Sequence, residues 1–278
     1  MVTNDAENQF DEPPAVPRPL DGRIAVVTGV SRRRGIGLAL TRRLLALGAR
    51  ILAQSWSEYD RDRPYGPDPG GADAAVAELG AREDQLRDIA LDLGDPGSPA
   101  RLVNEAVTTF GGIDILVVNH TRTSQQSLQA MTAAELDRSW AVNTRASLLL
   151  VQAYANAHDD GRPGRIVLFT SGQHLAPMGG DLPYAVTKGA IHQITLTLSD
   201  VLADRGITVN AINPGPTDTG WAPPELIDRL APAFPAGRWG APDDAARLVA
   251  WLVSDEAAWI TGQVINSEGG FRRWMGAT

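Results

Sequence analysis

The chain has 278 residues, 43% of them hydrophobic and 21% charged, which fits one large globular α/β domain or two small ones. Its net charge of -8 disfavours non-specific binding to nucleic acid or to an anionic membrane, and no apolar run reaches the roughly 18 residues that a membrane-spanning helix needs. The absence of cysteine excludes disulfides, thiolate metal sites and a cysteine nucleophile.

The N-terminal segment, residues 1–20, is acidic and rich in proline and lacks the apolar core of a signal peptide. It predicts a tail that is either disordered or laid along the surface. Residues 21–278 predict a single domain, and since nothing points outside the cell we expect a cytoplasmic protein.

Short apolar runs alternate with segments of helical spacing along the rest of the chain. The predicted strands are 23–28, 50–55, 86–93, 113–119, 165–171, 207–213 and 262–267, and the predicted helices are 36–49, 72–81, 98–111, 132–157, 183–204 and 243–254. Continuous apolar strands separated by helices indicate a parallel sheet that is covered on both faces. The sequence therefore predicts an α/β fold: a single-domain, Rossmann-like three-layer sandwich with a seven-stranded parallel sheet and helices on both faces. Residues 57–71, rich in Gly, Pro and Asp, predict a loop.

A glycine-rich stretch, "VTGVSRRRGIG" at 27–37, joins the first predicted strand to the first predicted helix. Gly29, Gly35 and Gly37 allow a tight turn and a close approach of the backbone to a pyrophosphate, and the helix N-terminus offers unpaired N–H groups to that anion. A glycine-rich stretch alone is a weak signal, but its place between a strand and a helix favours a dinucleotide site over a plain turn.

Charge near this loop bears on the choice of cofactor. Three arginines, Arg32 to Arg34, lie within the loop, and the second strand ends at Ser55 and Trp56 with no carboxylate before Glu58. Arginines suit an additional phosphate, and an acid at that position would repel one. The sequence therefore predicts NADP(H) in preference to NAD(H).

A serine, a tyrosine and a lysine could carry the chemistry. Tyr184 and Lys188 are four residues apart and share one face of a predicted helix, and Ser171 ends the preceding strand. A nearby ammonium lowers the pKa of a phenol, so Tyr184 could donate a proton to a carbonyl oxygen while Ser171 holds the same oxygen. Taken alone, Tyr184 and Lys188 could equally be two residues on a solvent-exposed face of a helix.

Several short motifs together resemble the short-chain dehydrogenase/reductase family, of the compact one-domain type. They occur in the family's order across about residues 20 to 275: TG and GIG at 28–37, LDL at 91–93, Asn143, TS at 170–171, YAVTK at 184–188 and NPGPTDT at 213–219. Closest in appearance are bacterial reductases that are similar to 3-oxoacyl-carrier-protein reductase. Because these motifs occur together, we no longer interpret the spacing of the tyrosine and the lysine as a coincidence.

The resemblance implies four catalytic residues. Tyr184 is expected to be the proton donor, Lys188 to lower its pKa and bind the nicotinamide ribose, and Ser171 to orient the substrate carbonyl. Asn143 is expected to hold a water that links Lys188 to solvent as a proton relay.

It also implies a set of cofactor contacts. Asp92 is expected to accept a hydrogen bond from the adenine amino group, and Asn119 to lie against the adenine ribose. With the residues of the loop and of the second strand, the expected contacts are Gly29, Ser31, Arg33, Arg34, Gly35, Ile36, Gly37, Ser55, Trp56, Asp92, Leu93, Asn119, His120, Tyr184, Lys188, Pro214, Gly215, Thr217 and Thr219.

The chain departs from the family pattern in three places. The glycine loop is two residues longer than usual, and of its arginines we favour Arg34 for the extra phosphate, with Arg33 second. The usual NNAG after the fourth strand is VNHT at 118–121, which brings His120 near the cofactor. The insertion 57–71 either covers the cofactor or fills surface.

The substrate end is less clearly marked. His174 could contact substrate or be a solvated loop residue, and His158 and His192 are expected on helix surfaces. The segment 220–240, rich in proline and carrying Trp221, Phe234 and Trp239, suits either a mobile lid over an apolar substrate or a static cap. No spacing resembles a metal site, and we expect none.

The predicted function is an NADP(H)-dependent oxidoreductase that interconverts a ketone or 3-oxoacyl group and a secondary alcohol, with Tyr184 as general acid and base. Two alternatives are an NAD-dependent alcohol or sugar dehydrogenase and a non-catalytic regulator that senses NADP. The expected partners are a small carbonyl or alcohol substrate and further copies of the chain, as a tetramer or dimer in which helices 132–157 and 183–204 pair. Neither nucleic acid nor a membrane is expected.

Overall fold

The computed structural model describes residues 18–276, and these form one seven-stranded sheet in the order β3-β2-β1-β4-β5-β6-β7 with every pair parallel. The strands are β1 (Ile24–Thr28), β2 (Arg50–Ser55), β3 (Leu86–Ala90), β4 (Ile115–Val118), β5 (Gly164–Phe169), β6 (Ile207–Asn213) and β7 (Val264–Asn266). The helices are α1 (Ile36–Ala46), α2 (Glu58–Arg61), α3 (Gly71–Ala77), α4 (Ser98–Phe110), α5 (Ala133–Ser139), α6 (Ala146–Ala157), α7 (Leu182–Ala203), α8 (Pro224–Leu230) and α9 (Pro242–Leu252).

Both faces of the sheet are buried along its central strands β1, β4, β5 and β6, and helices lie on both sides, which confirms the predicted three-layer α/β sandwich. Within β1, Ala25 and Val27 belong to the core beneath α1 and α9, whereas Ile24 and Val26 belong to the core beneath α4, α6 and α7. Strands that are covered on both faces must be apolar at every position, and for this reason they stand out in the sequence as unbroken apolar runs.

Strand order places the functional cleft. The chain winds outwards from β1 to β2 and β3, then returns to pair β4 with the other side of β1. The loops after β1 and β4 therefore diverge and leave a crevice at the carboxyl ends of these strands, the usual position of ligands in this architecture.

Three segments differ from the predicted elements. The predicted helix 132–157 is interrupted by a π-helical turn at Trp140–Arg145, which separates α5 from α6. The predicted loop 57–71 contains α2 and ends in the first residue of α3. The predicted helix 72–81 ends at Ala77, followed by turns rather than further helix.

The end of the predicted tail belongs to the core. Residues 1–17 lie outside the described residues. Leu20 is fully buried and its N–H donates to the carbonyl oxygen of Leu47, 3.0 Å away, so the ordered domain begins before residue 21. Within the described part of the chain, no helix combines the length and the hydropathy needed to cross a membrane.

One surface prediction is wrong. His158, at the end of α6, is buried rather than exposed. Its ring stacks on Tyr154 with centroids 5.2 Å apart, and its two nitrogens lie 3.0 Å from the carbonyl oxygens of Ile113 and Arg162. The histidine thus caps the helix against the starts of β4 and β5, a contact that helical spacing does not reveal.

Asp114 ties the amino ends of three strands together. Its buried carboxylate accepts from the N–H of Ile24 at 2.8 Å and from the guanidinium of Arg162, with Nη2 at 2.9 Å. Replacing Asp114 by Ala leaves a buried N–H without its acceptor and should lower the free energy of unfolding by about 2–3 kcal/mol.

Urea unfolding followed by circular dichroism measures this effect. Asp160→Ala is the matched control, since it breaks an ion pair to Arg205 that is exposed, and such pairs contribute little. Equal losses in the two variants would contradict the assigned role of Asp114.

Candidate active site

A cleft of about 1400 Å³ lies at the carboxyl ends of the strands. It is large enough for a dinucleotide and a substrate together, since sites for small molecules usually span about 300–1000 Å³. The residues expected from the sequence that line it are Gly29, Ser31, Gly35, Ile36, Trp56, Asp92, Leu93, Asn119, His120, Ser171, Tyr184, Pro214, Gly215, Thr217 and Thr219.

Other expected residues lie behind the cleft wall or away from it. Asn143 and Lys188 are almost fully buried behind the wall, and Ser55 is buried within β2. Gly37, Arg33 and Arg34 are also outside the lining.

The glycines after β1 permit a close approach between loops. Gly29 has a φ of +76°, and a Cβ there would lie 2.9 Å from the His120 Cα. A Cβ on Gly37 would lie 2.2 Å from the carbonyl oxygen of Gly29. Side chains at either position would close the cradle at the start of α1, so the residues present fit a bound pyrophosphate.

Gln54, a buried residue of β2, joins the loops after β1 and β3 and was missed by the sequence reasoning. Its Oε1 accepts from the N–H of Gly29 at 3.0 Å, and its Nε2 donates to the carbonyl oxygen of Leu91 at 2.7 Å. A polar residue inside an otherwise apolar strand is the signal that could have revealed it.

The three arginines of the glycine loop have different partners, and the preference for Arg34, with Arg33 second, stays a prediction. Arg34 forms an ion pair with Asp218 at 2.6 Å, and Arg33 forms one with Glu78 at 2.6 Å. Arg32 alone of the three lines the cleft, where its guanidinium lies 4.0 Å above the ring of Tyr65.

The insertion after β2 contributes to the cleft wall rather than only to the surface. The N–H of Thr123, in the loop after β4, donates to the Tyr59 hydroxyl at 3.0 Å. The N–H of Arg33 in the glycine loop donates to the carboxylate of Asp68. The segment therefore spans from one loop to the other and lies across the end of the cleft next to β2 and β3.

The reactive hydroxyls lie together on the cleft floor. Tyr184 is in the first turn of α7. Asp181 is the N-cap of this helix, and its side chain accepts from the backbone N–H of Tyr184. Ser171, just after β5, lines the same cleft and is close enough to the Tyr184 phenol to act on its pKa. The structure thus brings together the serine and the tyrosine that the sequence placed on separate elements.

The predicted lowering of the Tyr184 pKa by Lys188 is wrong for the chain by itself. Burial raises the pKa of Tyr184 above its ordinary value, and the hydrogen bond from Ser171 offsets this only in part. The carboxylate of Asp181 raises it further. A buried phenol is difficult to ionise, so Tyr184 is held in its protonated form.

Lys188 is buried directly beneath the tyrosine. Its Nζ lies 5.7 Å from the centre of the Tyr184 ring and donates to the carbonyl oxygen of Phe169 at 2.8 Å. Burial lowers the pKa of Lys188 to about 7. The ammonium therefore loses its proton near neutral pH, unlike an exposed lysine.

Asn143 is held in the π-helical turn by four hydrogen bonds. Its Oδ1 accepts from the N–H of Arg122 at 2.7 Å and from the hydroxyl of Thr121 at 3.3 Å. Its Nδ2 donates to the carbonyl oxygen of Arg122 and to the hydroxyl of Thr187, both at 2.9 Å. The side chain thus fixes the loop after β4 against the catalytic helix.

His120, where the family has a small residue, links this turn to β1. It lies 2.8 Å from the Thr28 hydroxyl through Nδ1 and 2.9 Å from the carbonyl oxygen of Val142 through Nε2. Burial lowers the pKa of His120 to about 4, so the ring is neutral at physiological pH. Because a carbonyl only accepts, Nε2 carries the proton and Nδ1 accepts from the threonine.

The substrate end of the cleft is aromatic. Phe234 and Trp239 are buried in a small apolar cluster with Ala222, and Trp221 is packed against Trp239, with its ring 6.0 Å away, and lines the cleft. This packing favours the static cap over the mobile lid.

The C-terminal segment adds residues that the sequence reasoning missed. Glu268 accepts from the amide of Asn213 at 2.7 Å and forms an ion pair with Arg273, and both charged side chains line the cleft near Gly172. His174, in contrast, is exposed outside the lining, where its ring lies 4.4 Å from that of His192. Among residues 18–276 no group of three or more His, Asp or Glu is placed to hold a metal ion.

A parallel sheet with a pyrophosphate cradle, and with a serine and a tyrosine above a buried lysine, defines a nicotinamide-dependent oxidoreductase. A family model described as Enoyl-(Acyl carrier protein) reductase matches residues 29–272. The chain belongs to the short-chain dehydrogenase/reductase family, whose members act on small molecules.

Relatives match over almost the whole chain. The uncharacterized oxidoreductase YjdA of Bacillus subtilis (strain 168) is 40% identical over 90% of this chain and 97% of its own length. The 3-oxoacyl-(acyl-carrier-protein) reductase FabG of Escherichia coli (strain K12) is 34% identical over 90% of this chain and 97% of its own length. The solved structure of a short-chain dehydrogenase from Burkholderia cenocepacia J2315 in complex with NADP is 33% identical, with a TM-score of 0.79, and the match covers 91% of this chain and 98% of that one.

Lys188 is the only lysine in the sequence, so its protonation can be read directly. Protein labelled with ¹³C-lysine should give one side-chain signal that titrates with a midpoint near the lowered pKa of about 7, against an ordinary value of 10.5. Stability should rise as pH increases between these values, because the unfolded chain binds the proton more tightly than the folded one.

The same signal in urea-unfolded protein provides the control and should titrate near the ordinary value. A midpoint above about 9 in the folded protein would show that the ammonium is not desolvated.

Proposed function

We propose that this protein is an NADP(H)-dependent oxidoreductase that interconverts a ketone or 3-oxoacyl group and a secondary alcohol, with Tyr184 as general acid and base. The observation that carries the proposal is the pairing of the Ser171 and Tyr184 hydroxyls on the cleft floor, above the buried Lys188. Two hydroxyls that converge on one point can bind a carbonyl oxygen, and one of them can give it a proton.

The residues that would hold the cofactor follow the length of the cleft. Gly29, Ser31 and Gly35 lie at the cradle before α1, and Asp92 and Asn119 line the adenosine side. The nicotinamide end is assigned to the loop after β6, by Pro214, Gly215, Thr217 and Thr219. A nicotinamide bound there supplies or accepts the hydride.

The chain's own residues would move the proton. Tyr184, protonated because its pKa is raised, gives its proton to the substrate oxygen, which Ser171 holds by its hydroxyl. In the reverse direction the phenol oxygen takes the proton back, as microscopic reversibility requires. Lys188, with a pKa of about 7, can exchange a proton near neutral pH. Asn143 holds the loop after β4 against α7 through its hydrogen bonds to Arg122 and Thr187.

A preference for NADP(H) over NAD(H) is part of the proposal. Arg32 lines the cleft and its buried Nε has no hydrogen-bond partner, so it can receive an additional phosphate. Neither Ser55 nor Trp56, at the end of β2, carries the acid that would favour NAD. The related structure from Burkholderia cenocepacia contains NADP.

The substrate is proposed to be a carbonyl compound with an apolar or aromatic body. Trp221, Leu226, Leu230 and Phe271 line the end of the cleft beyond the reactive hydroxyls. Such a surface suits an acyl chain or a fused ring better than a sugar. The similarity to FabG supports 3-oxoacyl thioesters as one class to test.

Two alternatives are weaker. An NAD-dependent alcohol or sugar dehydrogenase would need polar groups at the substrate end, where aromatic side chains lie. A non-catalytic regulator that senses NADP would have no use for a reactive pair, whereas Tyr184 and Lys188 are both present and buried together.

The catalytic proposal is tested by consumption of NADPH with a panel of 3-oxoacyl thioesters, diketones and quinones. Tyr184→Phe removes the proton donor without removing the ring, and it should lower the rate with the best substrate by about 10²–10⁴-fold. Its affinity for NADPH, measured by fluorescence titration, should change little.

Ser171→Ala serves as a second variant and should lose a smaller factor, since it removes orientation rather than the proton. If Tyr184→Phe oxidises NADPH as fast as the parent, the assignment of the proton donor is wrong.

We further propose that the chain is a homo-oligomer, a tetramer or a dimer, in which α7 pairs with its copy. Three apolar side chains on α7, Val186, Leu196 and Val201, are 58%, 66% and 67% exposed, and Trp140, in the π-helical turn that contacts α7, is 48% exposed. Large apolar side chains grouped on one surface are typical of protein interfaces.

Leu196→Asp should place a charge in this interface and reduce the molar mass in solution to that of a smaller species, as measured by light scattering after size exclusion. Trp251→Asp is the matched control, because Trp251 is 40% exposed but lies on α9, on the opposite face of the sheet from α7. A parent protein that is already monomeric would refute the proposed interface.

A further inference from the structure

Unsatisfied polar atoms gather in one wall of the cleft. In the described part of the chain, five buried side-chain nitrogen or oxygen atoms have no hydrogen-bond partner, and three of them are Arg32 Nε, Asp60 Oδ2 and Arg63 Nε. All three residues line the cleft at its end next to β2. Buried polar atoms without partners are costly, so their concentration in a cleft points to a ligand group that satisfies them.

The insertion holds these groups in place without neutralising them. Arg32 lies 4.0 Å above the ring of Tyr65, and Arg63 lies 4.1 Å above the ring of Tyr59. Tyr59 in turn is hydrogen-bonded to Thr123 across the cleft. Aromatic faces rather than carboxylates therefore position the two guanidinium groups, which leaves their N–H donors available.

Asp60 is the carboxylate of the group. It lies in the four-residue helix α2 and is only 4% exposed, yet it forms no ion pair within 4.0 Å with either arginine. The charged groups that act on it are Arg32 and Arg63, which favour ionisation, and Asp68, which opposes it. Burial dominates and raises the pKa of Asp60 to about 6, so the side chain is largely ionised at neutral pH.

The ligand chemistry follows from this mixture of charges. A phosphate on the adenosine ribose satisfies the guanidinium N–H groups but meets a buried carboxylate of the same sign. A ribose hydroxyl can instead donate to that carboxylate. The same wall of the cleft thus contains guanidinium groups that favour the extra phosphate and a carboxylate, that of Asp60, that opposes it.

We propose that Asp60 is a cofactor-selecting residue, which weakens the preference for NADP(H) over NAD(H) that Arg32 creates. The proposal rests on the function proposed above, because it concerns the adenosine end of the same cleft. It differs from the sequence-based expectation, in which the arginines of the glycine loop and the lack of an acid at the end of β2 together favoured NADP(H). In the structure, the insertion after β2 places the carboxylate of Asp60 at this end of the cleft. Asp60 is five residues after Ser55, the last residue of β2.

The test is equilibrium binding, by fluorescence or calorimetry, of NADP⁺ and NAD⁺ to the purified protein. Asp60→Asn keeps the shape of the side chain and removes its charge, and it should raise the ratio of NADP⁺ affinity to NAD⁺ affinity by about tenfold. Arg32→Gln should lower that ratio by about tenfold. Glu83→Gln, which removes an exposed carboxylate outside the cleft, is the matched control and should leave the ratio within twofold.

A pH series separates a charge effect from a structural one. Above about pH 7 the parent should bind NADP⁺ about tenfold more weakly than Asp60→Asn, and this difference should vanish near pH 5, where the carboxyl of the parent is protonated. Ionisation of the cofactor phosphate affects both proteins alike and cancels in the comparison.

The outcomes are distinct. If the parent binds neither dinucleotide, the proposed function itself fails. If the parent binds but Asp60→Asn leaves the affinity ratio unchanged, or weakens both cofactors equally at every pH, the selecting role is overturned while the proposed function stands. Thermal unfolding of each variant verifies that it is folded before binding is measured.

Discussion

Desolvation of one ammonium group is the constraint on which the catalytic site depends. Lys188 is the only lysine of the chain, and it is buried beneath a phenol that is itself partly shielded from water. The backbone carbonyl of Phe169 accepts a hydrogen bond from it, so the end of β5 and the start of α7 are held together through this side chain. Burial shifts both titrating groups towards their neutral forms, which keeps a proton on the tyrosine and makes the lysine able to release one near neutral pH.

Much of the fold could be predicted from the sequence because the central strands of the sheet are buried on both faces. Every position of β1 and of β6 is apolar or fully enclosed, and such runs are visible without any knowledge of partners. The glycines of the first turn and the four-residue spacing of Tyr184 and Lys188 are likewise local patterns, which the cleft then brings together with Ser171.

Features that depend on contacts between distant segments could not be predicted in this way. The π-helical turn at Trp140–Arg145 follows from the bonds between Asn143 and the loop after β4, and nothing in the local spacing marks it. The direction of the Tyr184 pKa depends on how deeply the ring is enclosed, whereas its spacing from Lys188 indicates only that a cation is near. The partners of Arg33 and Arg34 are carboxylates 45 and 184 residues away in the chain, so local sequence does not indicate that Arg32 is the arginine that lines the cleft.

The π-helical turn has a consequence for how this site could arise and be lost. A π turn amounts to an α-helix with one residue inserted, so deletion of a single residue between Trp140 and Arg145 would restore a regular helix. Because the six residues of the π turn sweep about the same angle as five residues of an α-helix, α5 and α6 would keep their relative phase, but the amide of Asn143 would be displaced from Arg122 and Thr187. The alignment of the catalytic helix with the cofactor loop thus depends on an insertion of one residue, the smallest change in length that a gene can make in frame.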